Sequence, residues 1–180
     1  MGAERQRSLP QAETGRKLTP AERIDARVAE LRGSFDPDAL SVGSVREADR
    51  VTGRLTTLLV EAQAGAMLVD QVRHWAATNR AYAERMGIGP DASLEDVLPV
   101  AYELAMKRVD TDLGKGETKG ARKGRVRREF AQAERGTIRQ LASYRMHSEH
   151  PQQVDRFTAR LKERRERLAA DANRQESLPV

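Results

Sequence analysis

SVREADRVTGRLTTLLVEAQAGAMLVDQVRHWAATNRAYAERM, residues 44–86, is the stretch whose reading decides the fold. From Ala48 onward its apolar or small residues recur at alternating spacings of three and four: Val51, Leu55, Leu58, Ala62, Gly65, Val69, Val72, Ala76, Asn79, Ala83 and Met86. That rhythm belongs to a helix packed lengthwise on another helix at a shallow angle, since a strand would alternate every second residue. Ser44 and Glu47 have the spacing of a capping box at its start. In the middle the stripe narrows to Ala62 and Gly65, which lets the backbone of a neighbouring helix come close. Unbroken, the helix would run for about 64 Å at 1.5 Å per residue, longer than one compact domain needs. It is therefore expected to protrude, to form a homodimer with a second copy through the 44–86 helix, or to bend, either at Gly65 or at Thr78 and Asn79.

Upstream, Thr19, Pro20 and Glu22 form a second helix start, followed by the stripe Ile24, Val28 and Leu31 and a stop at Gly33. Residues 34–43, with Phe35, Pro37 and two aspartates, read as a loop. Downstream, a Gly- and Pro-rich turn at 87–91 precedes a third capping pair, Ser93 and Asp96, ahead of Leu94, Val97, Leu98, Ala101, Leu104 and Ala105. Pro99 either kinks this helix or marks its true start. Two further helices are expected over 125–149 and 151–172, separated by Pro151. Between them and the third start lies GKGETKGARKG, residues 114–124, whose four glycines and four basic residues predict an irregular, exposed, mobile loop. Residues 1–18 and 173–180 have no apolar period and are expected to be a disordered segment and a flexible tail flanking a helical domain over 19–172.

The fold expected is all-α: an elongated antiparallel helical bundle with one long heptad-patterned helix. Composition agrees, because a chain of 180 residues with 33% charged residues and only seven aromatics lacks the aromatic and β-branched content of sandwiches and barrels. The absence of cysteine excludes disulfide frameworks, thiolate zinc sites and thiol nucleophiles. No run of about 18 apolar residues is present to span a membrane, and a cytoplasmic location is expected.

The charge is uneven. Residues 1–43 carry seven basic and seven acidic side chains and 44–92 six of each, whereas 114–180 carry seventeen against nine, which exceeds the whole net charge of +5. On a helical wheel Val126, Phe130, Ala133, Thr137, Leu141 and Tyr144 share one side, and Arg125, Arg128, Arg135 and Arg139 gather opposite them. Together with Lys115, Lys119, Arg122 and Lys123 of the preceding loop, these arginines are the candidate nucleic-acid-binding residues. The last helix repeats the pattern more weakly, with Arg156, Arg160 and Arg167 facing out. Because Phe130 and Phe157 fall on core stripes, base stacking is not expected, and contact would be to phosphate with low sequence specificity. Arg outnumbers Lys 26 to 6, a bias that also produces arginine-rich solvated faces without a ligand.

Catalytic and cofactor chemistry finds no support. The 114–120 stretch does not match a phosphate-binding loop and follows no strand. His147 and His150 are read as capping or solvated, with no metal site, and Asp70 with His74 as an exposed ion pair beside Trp75. Trp75 and Tyr82 read as packing against a neighbouring helix. The chain is thus expected to be a non-enzymatic, nucleic-acid-associated protein of the kind that serves as a small subunit of a larger nucleoprotein assembly, without cofactors. The alternative is a protein-interaction module (an adaptor, an antitoxin-like inhibitor or a secreted substrate) docking on an acidic partner.

Overall fold

A computed structural model describes residues 16–112 and 119–176. Among them run six helices and no strand: α1 (Pro20–Ser34), α2 (Val45–Thr78), α3 (Arg80–Arg85), α4 (Leu94–Asp112), α5 (Lys119–Glu149) and α6 (Pro151–Glu176). Three of these start on the caps read from sequence. Thr19 and Glu22 form the full reciprocal box, as do Ser93 and Asp96. Ser44 accepts from the Glu47 amide at 3.2 Å, but the Glu47 carboxylate turns back one residue further, to the Gly43 amide at 2.8 Å. Pro99 lies inside α4 and does not start it.

The long helix breaks at Asn79. Its side-chain amide donates to the Trp75 carbonyl and to the Thr78 hydroxyl, both at 3.0 Å, so a polar side chain competes with the backbone ladder and the chain turns. Trp75 and Tyr82 then stack edge-to-face across the break, with centroids 5.4 Å apart. At the end of α3, Gly87 takes φ of 73°, and the Ile88 amide reaches back to the Ala83 carbonyl at 2.9 Å, closing the helix in a Schellman turn with Ile88 buried beneath it.

Along α2, Leu55, Leu58, Ala62, Val69 and Val72 are buried as the stripe predicts, while Val51 is half-buried and Met86, beyond the break, is exposed. Gly65 does not bend α2. A Cβ built there would stand 2.2 Å from the Gln140 carbonyl oxygen and 2.7 Å from the Tyr144 Cβ, so this glycine is the close approach of α2 and α5. Arg108 donates to Gln71 at 2.8 Å while Val97 and Ala76 line one groove, which sets α4 antiparallel to α2. Asp49 meets Arg165, and Arg54 lies over Phe35, itself edge-on to Phe157, which sets α6 antiparallel to α2 as well.

The hub is the second half of α5. Thr137, Ile138, Leu141, Ala142, Ser143 and Met146 are all buried, and together they span about 240° of the helix's circumference. α1, α2 and α4 pack around it. Ser143 lies near the azimuth of Arg125, on the side read as solvated; it donates to Glu61 of α2 at 3.0 Å. The predicted stripe is thus buried at Thr137 and Leu141, but in this half burial spreads past it onto the side read as solvated.

Candidate nucleic-acid interface

α5 begins at Lys119, inside the stretch read as an irregular loop over 114–124. Ala121, Arg122, Lys123 and Arg125 favour helix, and the two glycines at 120 and 124 are outweighed because the same helix is anchored downstream by its buried half. Lys115 lies outside the described residues. Lys119 is the first residue of the helix, and Arg122 and Lys123 lie in its first two turns.

The predicted row is not uniform. Arg125 pairs with Glu129 at 3.7 Å along the helix. Arg139, although its side chain is 57% exposed, reaches across to Glu61 of α2 at 3.3 Å. Arg128 and Arg135 are exposed, and so are Lys123 and Arg127; these four enter no ion pair among the described residues. Arg127 was not part of the row read from the wheel, since it lies about 100° from Arg128. Its signal is the unbroken Arg-Val-Arg-Arg run itself.

Phe130 is a correction. Its spacing places it on the core stripe, yet it is 38% exposed, because the neighbours that enclose the second half of α5 do not cover the first. On the wheel it shares a side with Lys123 and Arg127, so one aromatic ring does stand among the cations. Phe157 keeps its expected place in the core, only 2% exposed.

The arginines of α6 are a second correction. They face outward, but they bind the chain itself. Arg160 donates to the Pro37 carbonyl at 2.6 Å and to Asp38 at 2.7 Å, with Arg156 also beside Asp38. Arg164 holds the Val42 carbonyl at 3.0 Å, and Arg165 holds Asp49 at 2.6 Å. Arg167 pairs with Glu163 on its own helix. These charges neutralise the acidic loop over 35–43 and the start of α2, while in the first half of α5 Lys123, Arg127 and Arg128 stay open.

That half is fixed to the bundle through Glu134. Its carboxylate accepts from the Tyr102 hydroxyl of α4 and from Arg23 of α1 at 2.9 Å. The Tyr102 bond holds the Glu134 carboxyl below its ordinary range, against the opposing effect of burial and with help from Arg23. Burial, and then the bond to Glu134, push the Tyr102 hydroxyl up to about 12. The depressed carboxyl contributes stability that is present above its ordinary value and lost as pH falls through the folded one. The raised phenol contributes stability that is complete below its ordinary value of 10.0 and lost as pH rises through about 12. Tyr102→Phe is expected to cost about 1 kcal/mol at neutral pH, at the low end for a bond to a charged group because the pair is partly exposed. It should also flatten both pH edges. Urea unfolding at neutral, acid and alkaline pH measures this, and identical curves for the two proteins would remove the tie.

The remaining polar candidates are structural. Asp70 pairs with Arg73 at 3.5 Å rather than with His74. The His150 carbonyl accepts the amides of Gln153 and Val154 at the start of α6, while His147 is exposed. Among the described residues no three metal-binding side chains gather, and no helix is long and apolar enough to cross a membrane. No family model, curated protein or solved structure matches this chain, so what it does must be read from its own charges and faces.

Proposed function

We propose that the chain is a non-enzymatic, nucleic-acid-associated helical protein that holds a phosphate backbone along the first half of α5 with little reading of sequence. One observation carries the reading: eight basic against two acidic residues stand between 119 and 139, at the end of a helix whose own dipole is positive. Like charges so placed repel one another and the helix end, and a row of phosphates relieves both. The α6 arginines are engaged internally, which concentrates the chain's excess positive charge on this patch. Such a protein suits a small subunit of a larger nucleoprotein assembly. The same cations would serve an acidic protein partner, and the test separates the two.

The test is direct binding of the full chain to a labelled duplex and a labelled single strand at low salt. Replacing Arg128 and Arg135 together by Gln should weaken both complexes, whereas Arg139→Gln should change little because Glu61 already neutralises that guanidinium. Phe130→Ala should weaken the single-strand complex by about 1–3 kcal/mol, the worth of one stacked base, and spare the duplex. Absence of binding by the unaltered chain at low salt would overturn the reading in favour of an acidic protein partner.

A further inference from the structure

The inner stripe of α2 is covered within the chain, yet the opposite side of the helix carries a second seven-residue rhythm. Gly53, Val60 and Met67 lie along it, flanked by Thr56, Thr57, Gln63 and Ala64. Val60 is 62% exposed and Met67 60%. In a chain one-third charged, none of these seven residues is charged. The hydroxyls of Thr56 and Thr57 donate back to the carbonyls of Thr52 and Gly53, each at 3.0 Å, so the strip's hydroxyl donors are satisfied inside the helix. Gly53 has no internal reason to be glycine, because a Cβ there would meet nothing within 4 Å and alanine would favour the helix.

We propose that this strip is the seam of a homodimer, in which the α2 helices of two copies lie antiparallel about a two-fold axis through Val60. Positions symmetric about that residue carry side chains of opposite size. Gly53 and Met67 stand seven positions to either side of it, so the long Met67 side chain of each copy enters the gap left by Gly53 of the other. By the same symmetry Thr56 meets Gln63, Thr57 meets Ala64, and the two Val60 side chains meet each other. The occupant is a second copy because the strip offers no charge for a partner of opposite sign, while its large and small positions complement themselves under the two-fold operation of a closed dimer. A strip of one helix per partner is small beside the roughly 1,200–2,000 Å² of specific interfaces, so the dimer forms reversibly with concentration.

The chain has no cysteine, so single thiols can be placed at will. Under mild oxidation the full chain carrying Val60→Cys should cross-link to itself. Gly53→Cys alone should not, because in the antiparallel seam the two sites lie about 21 Å apart, far beyond the roughly 7 Å a disulfide can bridge. The double variant Gly53→Cys, Met67→Cys should link. Sedimentation from micromolar to millimolar concentration should show monomer passing to dimer, and Val60→Glu should hold the chain monomeric with unchanged circular dichroism. Efficient cross-linking by Gly53→Cys alone would overturn the antiparallel two-fold. An unaltered chain that stays monomeric throughout, or a dimer that survives Val60→Glu, would overturn the seam.

Discussion

Gly65→Ala is expected to lower the stability of the fold by about 2 kcal/mol, a fall of about 4–8 °C in Tm for a chain of this size. The methyl would stand 2.2 Å from the Gln140 carbonyl oxygen. A backbone oxygen in the middle of a buried helix cannot rotate away, so α2 and α5 must separate along the seam that organises the core. Alanine's better helix propensity offsets about 1 kcal/mol of the strain and does not reverse it. Gly53, twelve residues earlier on the same helix, provides the contrast. There the new methyl meets nothing within 4 Å, and in dilute solution Gly53→Ala should raise stability by about 0.5–1 kcal/mol. Thermal and urea unfolding of the two variants measure both signs. If Gly65→Ala were as stable as the parent chain, the two helices would not approach as closely as described.

Salt is expected to have the largest effect on binding. Lys123, Arg127, Arg128 and Arg135 are the exposed cations of α5 without an ion pair among the described residues. If each neutralises one phosphate of a duplex, the log–log slope of affinity against salt is about −3.6, and affinity drops about 150-fold from roughly 50 to 200 mM. Removing Arg128 and Arg135 should bring the slope to about −1.8 and the drop to about 12-fold. Arg139→Gln should leave the slope near its original value. A slope that ignores the double substitution would take these residues out of the interface.

Much of the bundle was legible in the sequence because it is written in local signals. Thr19, Ser44 and Ser93 announce helix starts by hydrogen bonds to residues three positions away. The break at Asn79 is local as well, and so is the helix start at Pro151. The narrow point at Gly65 was legible as a place for a partner backbone, although not as to which helix would fill it. What escaped depends on residues far apart in the chain. Ala142 and Ser143 are too small and neutral to mark a buried face, so the hub role of α5 could not be seen from its own wheel. The charges of Arg156 and Arg160 look like part of a solvated row until the loop holding Asp38 is folded beneath them. Phe130 fits the core stripe by spacing and stays exposed because no helix arrives to cover it. The candidate interface was therefore legible in its residue types and in its helix, while the division between open and engaged arginines required the tertiary fold.

The clamp of α6 on the first loop bears on the order in which the protein is made. Gln153, Arg160, Arg164 and Arg165 hold partners 116 to 123 positions earlier in the chain. A nascent chain emerging from the ribosome thus presents α1, the loop and the start of α2 long before their covering helix exists. Through that interval Asp38 and Asp49 lack their arginines, and the Phe35 ring is open to water. Closing so long a loop is slow relative to forming the helices themselves. α1, the loop and the start of α2 must wait, partly assembled, until α6 is translated, and synthesis rather than local helix formation then sets when this clamp closes.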